Sequence, residues 1–203
     1  MLTNGFHPVP AGKLAMVVTH LEMRTPPEAK DLALPDGVTF RKVEPECSWY
    51  RDVFRRVGSL EWLWFGRAKM PDDKLAAILS DPDVHVYTLT KDGIDHALLE
   101  LDFRVPGACE LAYFGLTPAL IGSGAGRFLM TRAIELAFAQ PIERFHLHTC
   151  TLDSAQALPF YIRSGFVPYA REVEIADDPR LTGVLPRDAG AHVPLIDDQG
   201  RSG

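Results

Sequence analysis

At 203 residues the chain is long enough for one domain with extensions and cramped for two. Its 46% hydrophobic and 24% charged residues sit near the globular average, which excludes wholesale disorder and fibrous architectures. Lys and Arg number 21 against 27 Asp and Glu, and the resulting charge of -6 has the wrong sign for gripping a phosphate backbone, so nucleic acid is not expected as a main partner.

Residues 1 to 13 hold Asn4-Gly5, Pro8, Pro10 and Gly12, a run of breakers that reads as a loose arm. Leu14 to Met23 then reads as a strand. Its apolar start, Leu14 to Val18, is too brief to span a membrane and has no small-residue cleavage site behind a basic start. Cys47, Cys109 and Cys150 are odd in number and widely spaced, which suits a reducing compartment and offers neither a disulfide framework nor a paired zinc motif. The expectation is a cytoplasmic protein with no membrane partner and no metal.

Thr25-Pro26-Pro27 through Pro35-Asp36-Gly37 is a connector, and Val38, Phe40 and Val43 mark a short strand where the compact domain begins. Apolar residues recur at helical spacing over Cys47 to Val57 and Pro71 to Leu79, with the aromatic segment Trp62-Leu63-Trp64-Phe65 between them. Val84 to Thr90, Ala97 to Val105 and Cys109 to Leu116, separated by Lys91-Asp92-Gly93 and Pro106-Gly107, form an antiparallel meander. Arg127 to Gln140 is a helix with Phe128, Leu129, Ala133, Leu136 and Ala137 on its buried face. Phe145 to Thr149 is a strand and Ser154 to Ser164 a helix that Pro159 should bend or confine to a shorter regular part. Phe166 to Ile175 is a last strand, entered through Gly165 and interrupted by Pro168. Three segments follow: an arm with one strand (1–37), the motif-bearing domain (38–175), and a tail (176–203) that Pro186, Gly190, Pro194 and Gly200 make irregular, with at most His192 to Ile196 docked. Solvating Leu14 to Met23 would be costly, so that strand should extend the sheet or meet a second subunit in a homodimer. The element order is α+β.

Gly122-Ser123-Gly124-Ala125-Gly126-Arg127 lies between a strand and the longest helix. A helix start leaves unpaired N–H groups and a positive partial charge, and missing Cβ atoms let an anion approach the backbone. The spacing is not that of a dinucleotide fingerprint, since Arg127 stands where the third Gly is required, and no Gly-Lys-Ser/Thr follows for a P-loop. Ile121 stands where a hydrolase nucleophile elbow requires Gly, so Ser123 is not read as a nucleophile.

Three ordered blocks, Glu110-Leu111-Ala112-Tyr113-Phe114-Gly115-Leu116-Thr117-Pro118, then Gly122-Ser123-Gly124-Ala125-Gly126, then Ala157, Tyr161, Gly165 and Phe166, resemble the GNAT superfamily of acetyl-CoA-dependent N-acetyltransferases over roughly residues 38 to 175. The family's phosphate motif usually opens with Arg or Gln, where this chain has Ile121, and Ser154 stands where Asn is common. The resemblance implies a strongly bent, mainly antiparallel sheet flanked by helices, with Cys109 to Leu116 and Phe145 to Thr149 as a splayed parallel pair. It implies acetyl-CoA as cosubstrate, with its pantetheine arm along Phe114, Gly115 and Leu116. The diphosphate would lie on Gly122, Ser123, Gly124, Ala125 and Gly126, with Arg127 as an outer positive charge.

An amine of pKa near 10 arrives protonated at pH 7 and needs a base before it can attack a thioester. Glu110 stands where many relatives place that base, and partial burial should raise its pKa towards working pH. Tyr161 matches the family's acid for the departing thiolate. His146 and His148 share a strand face and read as surface or hydrogen-bonding residues, and Cys150 lacks a base partner. Trp49, Trp62 and Trp64 read as core or, if they line a pocket, as fitting an apolar or aromatic acceptor. The expected activity is acetyl transfer to a small-molecule or peptide amine by direct attack. The alternatives are a GNAT-like module that binds acyl-CoA or a partner without turnover, and transfer of another acyl group.

Overall fold

Strand alternation, helical spacing and turn residues translate into fifteen elements in the computed structural model, which describes residues 3–28 and 31–197. The strands are β1 (Lys13–Met23), β2 (Val38–Val43), β3 (Val84–Lys91), β4 (Ile94–Asp95), β5 (Ala97–Asp102), β6 (Ala108–Leu116), β7 (Arg144–Cys150) and β8 (Val167–Asp177). The α-helices are α1 (Cys47–Phe54), α2 (Leu60–Trp62), α3 (Asp72–Leu79), α4 (Ala125–Phe138) and α5 (Ala157–Arg163). A π-helical turn at Arg55–Ser59 joins α1 to α2, and a 3-10 turn at Pro118–Leu120 precedes the glycine-rich segment. Gly200, counted above in the tail, lies outside the described residues.

One mixed sheet runs in the order β2-β3-β5-β6-β7-β1-β8, with β4 beside β3. Every pairing is antiparallel except β6 with β7, the parallel pair expected from the sequence. That pair holds only over Ala108↔Arg144, Cys109↔Phe145 and Glu110↔His146, after which the strands part. The cause is local. The β5–β6 register jumps between Glu100↔Tyr113 and Leu101↔Leu111, so Ala112 is an extra residue without an opposite, and a bulge of this kind bends and twists its strand.

The helices cover both faces. α4 buries Ala125, Leu129, Met130, Ala133, Ile134 and Ala137 against Leu99, Leu101, Leu111 and Phe145. On the opposite face α1 and α3 place Tyr50, Phe54 and Leu75 over Val84, Val86 and Leu98. Within this second cluster Glu100 is 0% exposed. It accepts from Tyr50 Oη and from the Arg67 guanidinium, so a carboxylate too costly to bury alone is neutralised in place.

β1 pairs with β7 on one side and β8 on the other, so the N-terminal strand lies inside the sheet. β1 thus extends the sheet, whose two outer strands are β2 and β8. The register of β1 against β8 slips between His20 and Leu21, where Pro168 opposes Leu21; a proline that cannot donate is tolerated at an edge bulge. The first half of β1 buries Leu14, Met16 and Val18 and the second half Thr19, Leu21 and Met23 on the other face.

The tail is irregular, but it docks well before His192. Leu185 and Ala189 pack on Leu14, Met16 and Leu63. Arg180 and Asp178 form a buried pair (Nη2–Oδ2 2.7 Å, Nε–Oδ1 2.9 Å), and Arg180 Nη1 donates to the Val193 carbonyl at 2.8 Å. This one guanidinium supplies donors that a loop without secondary structure otherwise lacks. Sequence composition marked the turns and could not reveal their shared partner.

Candidate active site

Where β6 and β7 part, a cavity of about 440 Å³ opens between the strands. β6 carries Tyr113, Phe114, Gly115 and Leu116 along one wall, and β7 carries His148 and Cys150 along another. α5 closes one end with Ala157, Phe160 and Tyr161, and the end of α2 with the segment after it closes the other with Trp62, Trp64 and Phe65.

The aromatic end depends on two backbone features. Leu63 adopts a left-handed conformation (φ 55°) that reverses the chain after α2, a conformation unfavourable for a residue with a Cβ. Its side chain is held by the buried cluster with Leu14 and Leu185, which offsets the strain. Gly58 then leaves room for the next indole, because a Cβ there would lie 2.0 Å from Trp64 Cδ2. Trp62 and Trp64 thus reach the cavity, whereas Trp49 is turned away and donates to Asp95 Oδ2 at 2.8 Å.

At the far end of β6, Gly122 (φ 81°) and Gly124 (φ 93°) take left-handed conformations that bring the chain into the start of α4. Ser123 Oγ donates to the Leu120 carbonyl at 2.7 Å and accepts from Ala125 N–H at 3.3 Å. The N–H groups of Gly122, Gly124 and Gly126 find no acceptor among the described residues. Three free donors at the positive end of a 14-residue helix make a cradle for an anion, and Gly126 itself lines the cavity. Ile121 also lines it and is 61% exposed, contributing no side-chain donor.

Phe114, Gly115, Leu116, Gly126 and Tyr161 share the cavity lining. Gly122, Ser123, Gly124, Ala125 and Arg127 form the turn beyond it, and Glu110 lies behind His148. Tyr161 is 9% exposed, with Phe114 and Phe166 edge-on to its ring. Burial first, and then the charge of Asp153, push its phenol pKa up and keep it protonated. Pro159 confines α5 to a shorter regular part. The helix begins at Ala157, later than the spacing suggests, so the proline falls in the first turn, where its missing N–H has no intrahelical partner to lose.

Glu110 does not have the raised pKa expected from partial burial. Its Oε1 lies 3.5 Å from His148 Nδ1. This contact lowers the Glu110 pKa against an opposing desolvation effect, and the charges of His148 and His146 lower it further. Reciprocally the contact with Glu110 raises the His148 pKa, desolvation opposes it, and the charges of Glu110, Asp153 and Glu174 add to the rise. His148, which the sequence reads as a surface or hydrogen-bonding residue, pairs with Glu110 and stands on the cavity wall. The alternation of His146 and His148 on one face was the available signal; the strand pairing that sets Glu110 beside His148 was not. Burial pushes the Cys150 thiol up to about 11, which leaves it a poor nucleophile. Among the described residues no three His, Cys, Asp or Glu side chains are grouped to hold a metal ion, and no helix is long and apolar enough to cross a membrane.

A model of the acetyltransferase (GNAT) family matches residues 47–166, more than half of the chain. Mycothiol acetyltransferase of Jonesia denitrificans is 41% identical over 64 residues, which are 32% of this chain and 20% of that protein. A GCN5-related N-acetyltransferase from Sphaerobacter thermophilus is similar in fold with TM-score 0.58 at 15% identity, covering 80% of this chain and 51% of the other. Another, from Kribbella flavida, has TM-score 0.54 at 19% identity and covers 85% and 63%. The chain thus spans a fifth of the matched curated relative and 51% to 63% of these two structures.

Proposed function

The chain belongs to the GNAT acetyltransferase family, and from that premise we propose that it moves an acetyl group from acetyl-CoA to a primary amine by direct attack in a ternary complex. The observation that carries this reading is the set of free N–H groups at Gly122, Gly124 and Gly126, the last of which lines the cavity between the two parting strands. A diphosphate fits such a cradle: it brings the negative charge and acceptor oxygens that the helix start lacks. Beyond Glu110 the β6 edge is unpaired towards β7, which leaves backbone donors and acceptors for the amides of a pantetheine arm.

In this proposal His148 takes the proton from the incoming ammonium, and Glu110 orients its imidazole and tunes its pKa towards working pH. The amine nitrogen then bonds to the thioester carbon and the carbon–sulfur bond breaks. Backbone N–H groups at the Ala112 bulge and beyond face the developing oxyanion, Tyr161 gives its proton to the departing thiolate, and the extra proton on the acylated nitrogen returns to the Tyr161 oxygen.

Calorimetry with acetyl-CoA tests the cradle. Gly124→Glu, which sets bulk and negative charge among the three donors, should abolish binding, and undiminished affinity would remove the proposal. Acetyl-CoA bound without thiol release to any amine would instead favour the binding-module alternative.

A further inference from the structure

Resting on the acetyl-transfer reading above, we propose that the acceptor is a primary amine whose body is aromatic or apolar and carries no carboxylate, with its ammonium group seated on Asp153. Asp153 is on the cavity wall, in the turn after β7. Its Oδ1 accepts from Trp64 Nε1 at 3.0 Å, and its Oδ2 accepts from Thr149 Oγ1 at 2.7 Å and Cys150 N–H at 2.9 Å. All three donors are neutral, and among the described residues no Lys, Arg or His pairs with this carboxylate. A carboxylate has about four acceptor sites, so one remains on the oxygen that faces the indole.

The surroundings select what fills that site. Trp62, Trp64, Phe65, Tyr113 and Leu152 line this end of the cavity, so a negative charge on the acceptor would be desolvated without a partner. The nearby Arg67 is committed to buried Glu100. Arg163, a cation on the lining, lies three residues beyond Phe160 on α5, and Phe160 stacks on Phe114 of β6 at 5.7 Å, on the side of the cavity away from the tryptophans. An acceptor carboxylate at this end would therefore meet Asp153 and Glu174, with Arg163 towards the Phe160 end. An ammonium on Asp153 is also well placed for transfer: His148 is on the same wall to take its proton, and Tyr161 senses the charge of Asp153.

The test compares 2-phenylethylamine, L-phenylalanine and spermidine as acceptors with acetyl-CoA, reading thiol release. 2-Phenylethylamine should exceed both others in kcat/KM by about tenfold or more, since a carboxylate meets like charge and a polyamine leaves the aromatic lining unfilled. Asp153→Asn keeps an oxygen for the Thr149 and Cys150 donors while removing the charge. It should raise KM for 2-phenylethylamine by about tenfold or more, with acetyl-CoA affinity by calorimetry unchanged. If L-phenylalanine or spermidine is preferred, or if KM in Asp153→Asn is unchanged, this acceptor assignment is overturned while acetyl transfer stands. Failure of the wild-type protein to bind acetyl-CoA overturns both.

Discussion

Glu110 and His148 meet across the parallel strand pair at the point where β6 and β7 separate, with Oε1 3.5 Å from Nδ1. One residue earlier on β6 the strands are still closed, and two residues later they are too far apart to pair. The bulge at Ala112 therefore opens the cavity and leaves this carboxylate at its apex, beside an imidazole that projects onto the wall.

The pair makes a pH prediction. The raised His148 pKa gives stability that is complete below its ordinary 6.5 and is lost as pH rises through the raised value. The lowered Glu110 pKa gives stability that is complete above its ordinary 4.5 and is lost as pH falls through the lowered value. The ion pair is thus strongest between those two ordinary values, whereas catalysis by neutral His148 gains above them. Glu110→Gln should move the acid limb of the kcat/KM profile to lower pH, and His148→Gln should remove that limb and lower kcat by roughly 10²- to 10⁴-fold. Rate profiles of the two variants that superimpose on the wild type would return both residues to a surface role.

Tyr161→Phe keeps the ring that packs on Phe114 and Phe166 and deletes only the hydroxyl. Thiol release should slow by roughly 10²-fold or more while the Kd for acetyl-CoA stays unchanged. A wild-type rate in this variant would make Tyr161 a core residue.

The N-terminal strand should behave as part of the core. Leu21 is fully buried between the strands and helices, and Leu21→Ala should cost about 2–5 kcal/mol in urea unfolding. Deleting residues 1–37 should abolish the cooperative transition, because β7 and β8 would both lose the neighbour that joins them. A truncated chain with the original thermal midpoint would contradict the pairing.

Arg180 and Asp178 are both 2% exposed in their side chains. Arg180→Ala strands a buried carboxylate and frees the carbonyls of Ala189 and Val193, so it should cost about 3–5 kcal/mol. Release of the tail should also change Trp62 fluorescence, since the His192 ring lies 5.4 Å from that indole. An unchanged unfolding midpoint would show the tail to be dispensable.

Local information in the sequence was enough for the meander, the long helix and the glycine turn. Each depends on a period, a turn residue or a missing Cβ within a few positions along the chain. The same is true of Tyr161 and the β6 residues Phe114, Gly115 and Leu116, whose places follow from motif order. Three features were decided only in the tertiary structure. β1 enters the sheet between β7 and β8, more than a hundred residues away in the chain, and an alternating strand does not announce its neighbours. The tail is held by a guanidinium that reaches carbonyls across an irregular loop, a contact without sequence period. The working pKa values at Glu110 and His148 arise from a distance of 3.5 Å between different strands, and electrostatic coupling depends on separation in space, which residue type and spacing along one strand cannot supply.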